Sequence, residues 1–126
     1  MPDITPRLAA GRQLINAYGD GGFRIAGNRY EGSVIVLPER TLVWSVTTLE
    51  QIAIGDLAPV LAADPAVELL LLGVGRQLRF VPRALRDAVK AAGIGFDGMD
   101  TGAACRTFNV LLAEERRVAA ALIAVD

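Results

Sequence analysis

The chain has 126 residues, of which 52% are apolar and 21% charged, enough for one domain with a core of ordinary size. Its 13 Lys and Arg against 14 Asp and Glu leave a net charge of -1, so no broad positive field exists to gather a nucleic-acid backbone. Histidine is absent and Cys105 is the single cysteine. That removes imidazole acid–base chemistry, intrachain disulfides and thiolate or imidazole metal cages, and neither a metal nor a cofactor is expected.

In chain order, Met1-Pro2-Asp3-Ile4-Thr5-Pro6 is acidic and proline-broken where a secretory signal needs a basic start and an apolar stretch. Residues 1–12 are read as irregular and 13–55 as antiparallel hairpins. Phe23 and Ile25 alternate with polar neighbours, and Gly27-Asn28 suits a tight hairpin turn. A strand follows over residues 30–37, a turn at Pro38, Glu39 and Arg40, and a return over 41–46 that carries Trp44.

From residue 56 onward the pattern alternates between helix and strand. Asp56 is placed to cap a short helix bearing Leu57, Val60 and Leu61, which Asp64-Pro65 stops. The aliphatic run at 67–72 predicts a strand buried on both faces. Even with Val74 it is too short to cross a bilayer, which takes about 20 residues. Pro82 opens a helix whose inner face carries Leu85, Ala88, Val89 and Ala92, and Gly93 closes it. A brief strand at 94–96, a helix at 101–115 and a strand at 118–125 complete the chain. This order predicts an α/β domain, or α+β if the hairpins dominate.

Two places invite a functional reading. Gly73 and Gly75 follow the buried strand, where open α/β sheets hold ligands, and Arg76 and Arg79 could supply positive charge there. The third glycine of a dinucleotide fingerprint and the Lys of a P-loop are missing. The denser constellation runs from Gly98 and Met99 into the helix at Thr101. Asp100 or Thr101 can cap that helix, and Thr101, Ala104, Cys105, Phe108, Leu111 and Leu112 form its inner stripe. Arg106 and Asn109 lie on the other side with Gly102 and Ala113. The helix is more apolar than a surface helix requires, so it is either covered by other elements or offered to a partner. Cys105 lies on the packing stripe with no histidine to activate it, which makes it a small apolar residue rather than a nucleophile. Neither Glu114 with Glu115 nor Asp97 with Asp100 has a visible counterpart for acid–base work.

Several motifs carry a family likeness: Leu70-Leu71-Leu72-Gly73-Val74-Gly75, the Ala92-Gly93-Ile94 break, Met99-Asp100-Thr101, Ala103-Ala104-Cys105-Arg106-Thr107-Phe108-Asn109-Val110-Leu111, and Glu115-Arg116-Arg117-Val118-Ala119-Ala120-Ala121-Leu122. Together they resemble a small single-domain family that includes the mitochondrial respiratory complex I assembly factor 3 and a mammalian adipogenesis-associated protein. The likeness is strongest from residue 67 onward. It implies a three-layer α/β domain with a mixed central sheet, brings no catalytic residues, and for the mitochondrial members implies a scaffolding role. Residues 1–15 lack the Arg-rich, Ser-rich character of a mitochondrial presequence, so the expectation is a cytoplasmic relative without a transmembrane segment.

The leading expectation is a non-enzymatic interaction or assembly-factor module whose partners are other proteins, respiratory-complex subunits among them. Nucleic acid is excluded, whereas a homodimer and peripheral membrane contact stay open. The alternative is a small-molecule or anion-binding enzyme with a pocket between the turn at Gly73 and Gly75 and the helix start at Thr101. The candidate binding residues are Gly73, Gly75, Met99, Thr101, Arg106 and Asn109. Arg106 and Asn109 have a third reading, as ties between the helix and nearby loop carbonyls.

Overall fold

The computed structural model describes residues 11–126. Apart from Gly11 and Arg12, the irregular stretch expected over residues 1–12 lies outside the described residues. The described chain begins with a three-stranded antiparallel sheet of β1 (Ile15–Gly19), β2 (Gly22–Ile25) and β3 (Asn28–Glu31). Its second hairpin turns one residue earlier than Gly27-Asn28 suggests. Ala26 and Gly27 adopt φ of 50° and 82°, and Asn28 already pairs with Ile25. A two-residue loop of this kind needs positive φ at both central positions, and strand register decides which residues supply it. Pairing Phe23 with Tyr30 leaves positions 26 and 27 for the loop.

The strand expected over residues 30–37 is two strands. Gly32, at φ 79°, breaks the run, and β4 (Val34–Val36) enters a second sheet of order β5-β4-β8-β6-β7. The halves differ because their surroundings differ: β3 is mostly exposed, whereas Val34, Ile35 and Val36 are all buried. After the turn at Pro38, Glu39 and Arg40 the chain returns in β5 (Thr41–Val43), antiparallel to β4. Trp44 is buried beyond it and donates its ring N–H to the Asp56 carbonyl at 2.9 Å.

Asp56 does not cap the short helix. It lies inside a 3-10 turn (Ile54–Leu57), and its carboxylate accepts from the Ala53 N–H at 2.8 Å, one turn ahead of helix α1 (Ala58–Leu61). Leu57 and Val60 are buried as expected, but Leu61 is exposed.

Strand β6 (Leu69–Gly73), helix α2 (Arg83–Ala91), strand β7 (Gly95–Met99), helix α3 (Thr101–Ala113) and strand β8 (Val118–Leu122) follow in the expected order. Strand β6 runs parallel to β7 and β8, while β8 runs antiparallel to β4, so the sheet is mixed. The aliphatic run thus forms an interior strand, although the middle of the sheet is β8. Strand β7 continues past the expected residues 94–96 to Met99 because each of its residues finds a partner on β6. Helix α2 ends at Gly93, where φ of 83° suits glycine and the N–H bonds to the Lys90 carbonyl at 2.9 Å.

Alternate residues of the five-stranded sheet feed two cores. Ile35, Leu70, Leu72, Ala119 and Ala121 pack with Trp44, Val60, Leu85 and Val89 on one face. Val34, Val36, Leu71, Ala120 and Leu122 pack on the other with Phe108 and Leu112 of α3 and with Phe23 and Ile25 of the small sheet. The result is a three-layer α/β domain in which α3 lies against the central sheet and beneath the N-terminal hairpins.

Candidate functional site

The parallel strands β6, β7 and β8 end on one side of the sheet, and four of the six sequence candidates meet there. The knot that joins them centres on Thr101, which has no exposure. Its hydroxyl donates to the Ile123 carbonyl at 2.8 Å and accepts from the Gly75 N–H at 3.0 Å, while its own N–H donates to the Gly75 carbonyl at 2.8 Å. The Met99 carbonyl accepts from the Val74 N–H at 2.9 Å, and the Ile123 N–H donates to the Gly73 carbonyl at 3.0 Å. A side chain at Gly73 would stand 3.0 Å from the Thr101 Cα and from Leu122, so the close approach of the three strand ends requires glycine. Asp100 rather than Thr101 caps α3, accepting from the Ala103 N–H at 2.9 Å.

Gly73 and Thr101 are therefore in mutual contact rather than on opposite walls of a pocket. The Thr101 hydroxyl donates to one backbone group and accepts from another, and without exposure it faces no pocket. Gly75 borders a cleft of about 340 Å³ lined also by Thr47, Thr48, Arg76, Arg79 and the C-terminal residues. The two arginines expected near this strand end are here, each with a partner. Arg79 pairs with Glu50, and its hydrogen bond holds that exposed carboxyl below the usual range. Arg76 donates to the Asp126 oxygen at 3.3 Å.

Arg106 and Asn109 belong to a different place, the face of α3 beneath β1. Asn109 forms a two-way bond with the Ile15 backbone, accepting from its N–H at 2.9 Å and donating to its carbonyl at 2.8 Å. This is the tie to backbone that the sequence left open, made to a strand rather than a loop. Arg106 is exposed and donates to the Tyr18 hydroxyl at 3.3 Å, and Tyr18 closes over Gly102. A shallow depression of about 350 Å³ runs between β1 and α3. Cys105 lies at its floor, buried, and burial pushes its thiol up to about 12, far from a thiolate at neutral pH.

The apolar excess of α3 is explained by coverage: one side meets the central sheet and the other meets β1, leaving Val110 as its exposed large apolar residue. The conspicuous apolar surface lies elsewhere, between Gly75 and Pro82, in the segment that also carries Arg76 and Arg79. Phe80 is 98% exposed and Leu78 68% exposed. Their signal in the sequence was two large apolar residues between a glycine turn and a helix-opening proline, where a connecting loop calls for neither.

Comparison with known proteins extends the likeness seen in the motifs. The family model described as protein of unknown function (DUF498/DUF598) matches residues 15–123, which includes the N-terminal hairpins. An uncharacterized Rhodobacter capsulatus protein is 38% identical over 114 residues, 90% of this chain and 86% of that protein. The Danio rerio NADH dehydrogenase (ubiquinone) 1 alpha subcomplex assembly factor 3 is 35% identical over 120 residues, 95% of this chain and 69% of that one. Among solved structures, a Bartonella henselae protein described as an outer membrane protein superposes with a TM-score of 0.84 at 44% identity, covering 92% of this chain and 98% of its own. A Bordetella pertussis protein described as an Mth938-like domain gives 0.81 at 27% identity, with 97% and 92% covered. The match takes in both sheets and all three helices: the chain belongs to the DUF498/DUF598 family and has its small Mth938-like α/β fold.

Proposed function

We propose that this protein is a cytoplasmic interaction module that assists the assembly of a membrane-bound respiratory oxidoreductase. The observation that carries the reading is the 35% identity, over 95% of the chain, to a protein named as an NADH dehydrogenase assembly factor. The site geometry supports it, because the polar groups at the strand ends are occupied by backbone while large apolar side chains stand in solvent. Among the described residues no helix is long and apolar enough to cross a membrane, so the module would meet its complex as a peripheral partner. Within this reading Gly73, Met99, Thr101 and Asn109 hold the architecture, Gly75 shapes the adjoining cleft, and Arg106 stays available to a partner.

Deleting the gene and resolving respiratory complexes on native gels tests the proposal. The expected outcome is less assembled NADH dehydrogenase with other respiratory complexes unchanged, restored by the wild-type gene. Normal levels of the assembled enzyme in the deletion strain would refute it.

A further inference from the structure

The surface around the start of α2 combines features that the interior does not explain. Residues 76–90 hold Arg76, Arg79, Arg83, Arg86 and Lys90 against one acid, Asp87, in a chain whose net charge is -1. Arg79 pairs with Glu50 and Arg76 donates to the Asp126 oxygen, whereas among the described residues Arg83, Arg86 and Lys90 form no ion pair. The first turn of α2 carries no acid and no side-chain cap, although that end of a helix favours negative charge. Arg86 stacks over the Phe96 ring at 5.9 Å. Within this positive field stand the exposed Phe80 and Leu78.

The surface is also recessed. One hollow of about 260 Å³ is lined by Leu78, Phe80, Val81, Arg86 and Gly98. A second, of about 250 Å³, lies beside the same turn, between Ile52 and Ile54 and the Pro82, Leu85 and Ala88 positions. Each is large enough for one apolar side chain. Two separate hollows of side-chain size suit a polypeptide, whose anchors stand at fixed spacing, better than a bilayer surface, which presents no fixed pair of protruding groups. Resting on the assembly reading above, we infer that this surface docks an acidic segment of a partner protein, which sets one apolar anchor in each hollow and its carboxylates against Arg83, Arg86 and Lys90. Charge complementarity sets the sign of the partner, and the paired hollows set its class.

The test uses fluorescent 16-residue peptides of Asp, Glu and Gly carrying two leucines three to eight residues apart, titrated with the full chain. Saturable binding is expected at one or more spacings, weakened at least tenfold by Phe80→Ala, by Arg83→Glu with Arg86→Glu, by replacing the leucines with glycine, and by raising salt from 50 to 500 mM. Phe80 is almost wholly exposed, so its loss leaves folding intact, and Val110→Ser on the far side of the molecule should bind as wild type. Absence of binding at every spacing overturns the inference. So does binding confined to vesicles containing phosphatidylglycerol, which would make the surface a membrane contact. Self-association that Phe80→Ala abolishes would likewise assign it to a second copy of this chain. In the deletion strain, a Phe80→Ala, Arg86→Glu variant that fully restores NADH dehydrogenase would sink the docking surface while the assembly role stands. If the wild-type gene is itself dispensable, the assembly role fails and the peptide result still judges the surface.

Discussion

Thr101 holds three strand ends together through one hydroxyl, so removing that hydroxyl strands the Ile123 carbonyl and the Gly75 N–H at once. Thr101→Val should lower stability by about 2–6 kcal/mol, because each of the two stranded groups costs about 1–3 kcal/mol. Thr101→Ser, which keeps both bonds and deletes one methyl, should cost about 1 kcal/mol. Urea unfolding of the two variants checks this, and equal losses would show that the bonds contribute little. Cys105 gives a second expectation. Its thiol is pushed from 9.0 to about 12 chiefly by burial, so the folded state holds the proton more tightly than the unfolded chain. Its contribution to stability is complete below pH 9 and falls as pH rises toward 12. Urea midpoints between pH 8 and 10.5 should decline more steeply for wild type than for Cys105→Ala, and parallel declines would contradict the assignment. Asn109 marks the limit of legibility at this scale. Its polarity within an apolar helix was visible, but its partner Ile15 lies 94 positions away and no local pattern names it.

Elements were readable where their surroundings were simple. Helix α2 has one face on the sheet and one in water, which writes a clear period into its residues. Helix α3 is covered on two sides, so its apolar residues exceed one stripe and the period blurs. Its coverage also depends on the strand beneath it. Ala119, Ala120 and Ala121 of β8 have no exposure, and Ala120 shares a core with Phe108 and Leu112. Small side chains at the centre of the sheet let the layers close. Ala120→Leu should therefore overpack this layer and lower stability by about 1–3 kcal/mol, with Ala113→Leu on the exposed end of α3 nearly neutral. Thermal unfolding of the pair decides it, and a neutral Ala120→Leu would mean that the layer has slack. The break at Gly32 was not readable, since an unbroken β-like run from 30 to 37 carries no mark of which sheet each half joins.

At the scale of the whole molecule, apolar spacing, glycines and prolines by themselves determined the α/β class, the order of strands and helices from β6 onward, and the inner stripe of α3. These follow from local rules, because a helix or strand writes its period into neighbouring residues. The tertiary structure alone decided that β8 sits mid-sheet, that the hairpins fold over α3, and that Gly73 and Thr101 touch rather than flank a pocket. It also decided that Phe80 points into water while the oilier helix is hidden. Each of these depends on which distant surfaces meet, and burial is shared among residues far apart in the chain, where no single segment can record it.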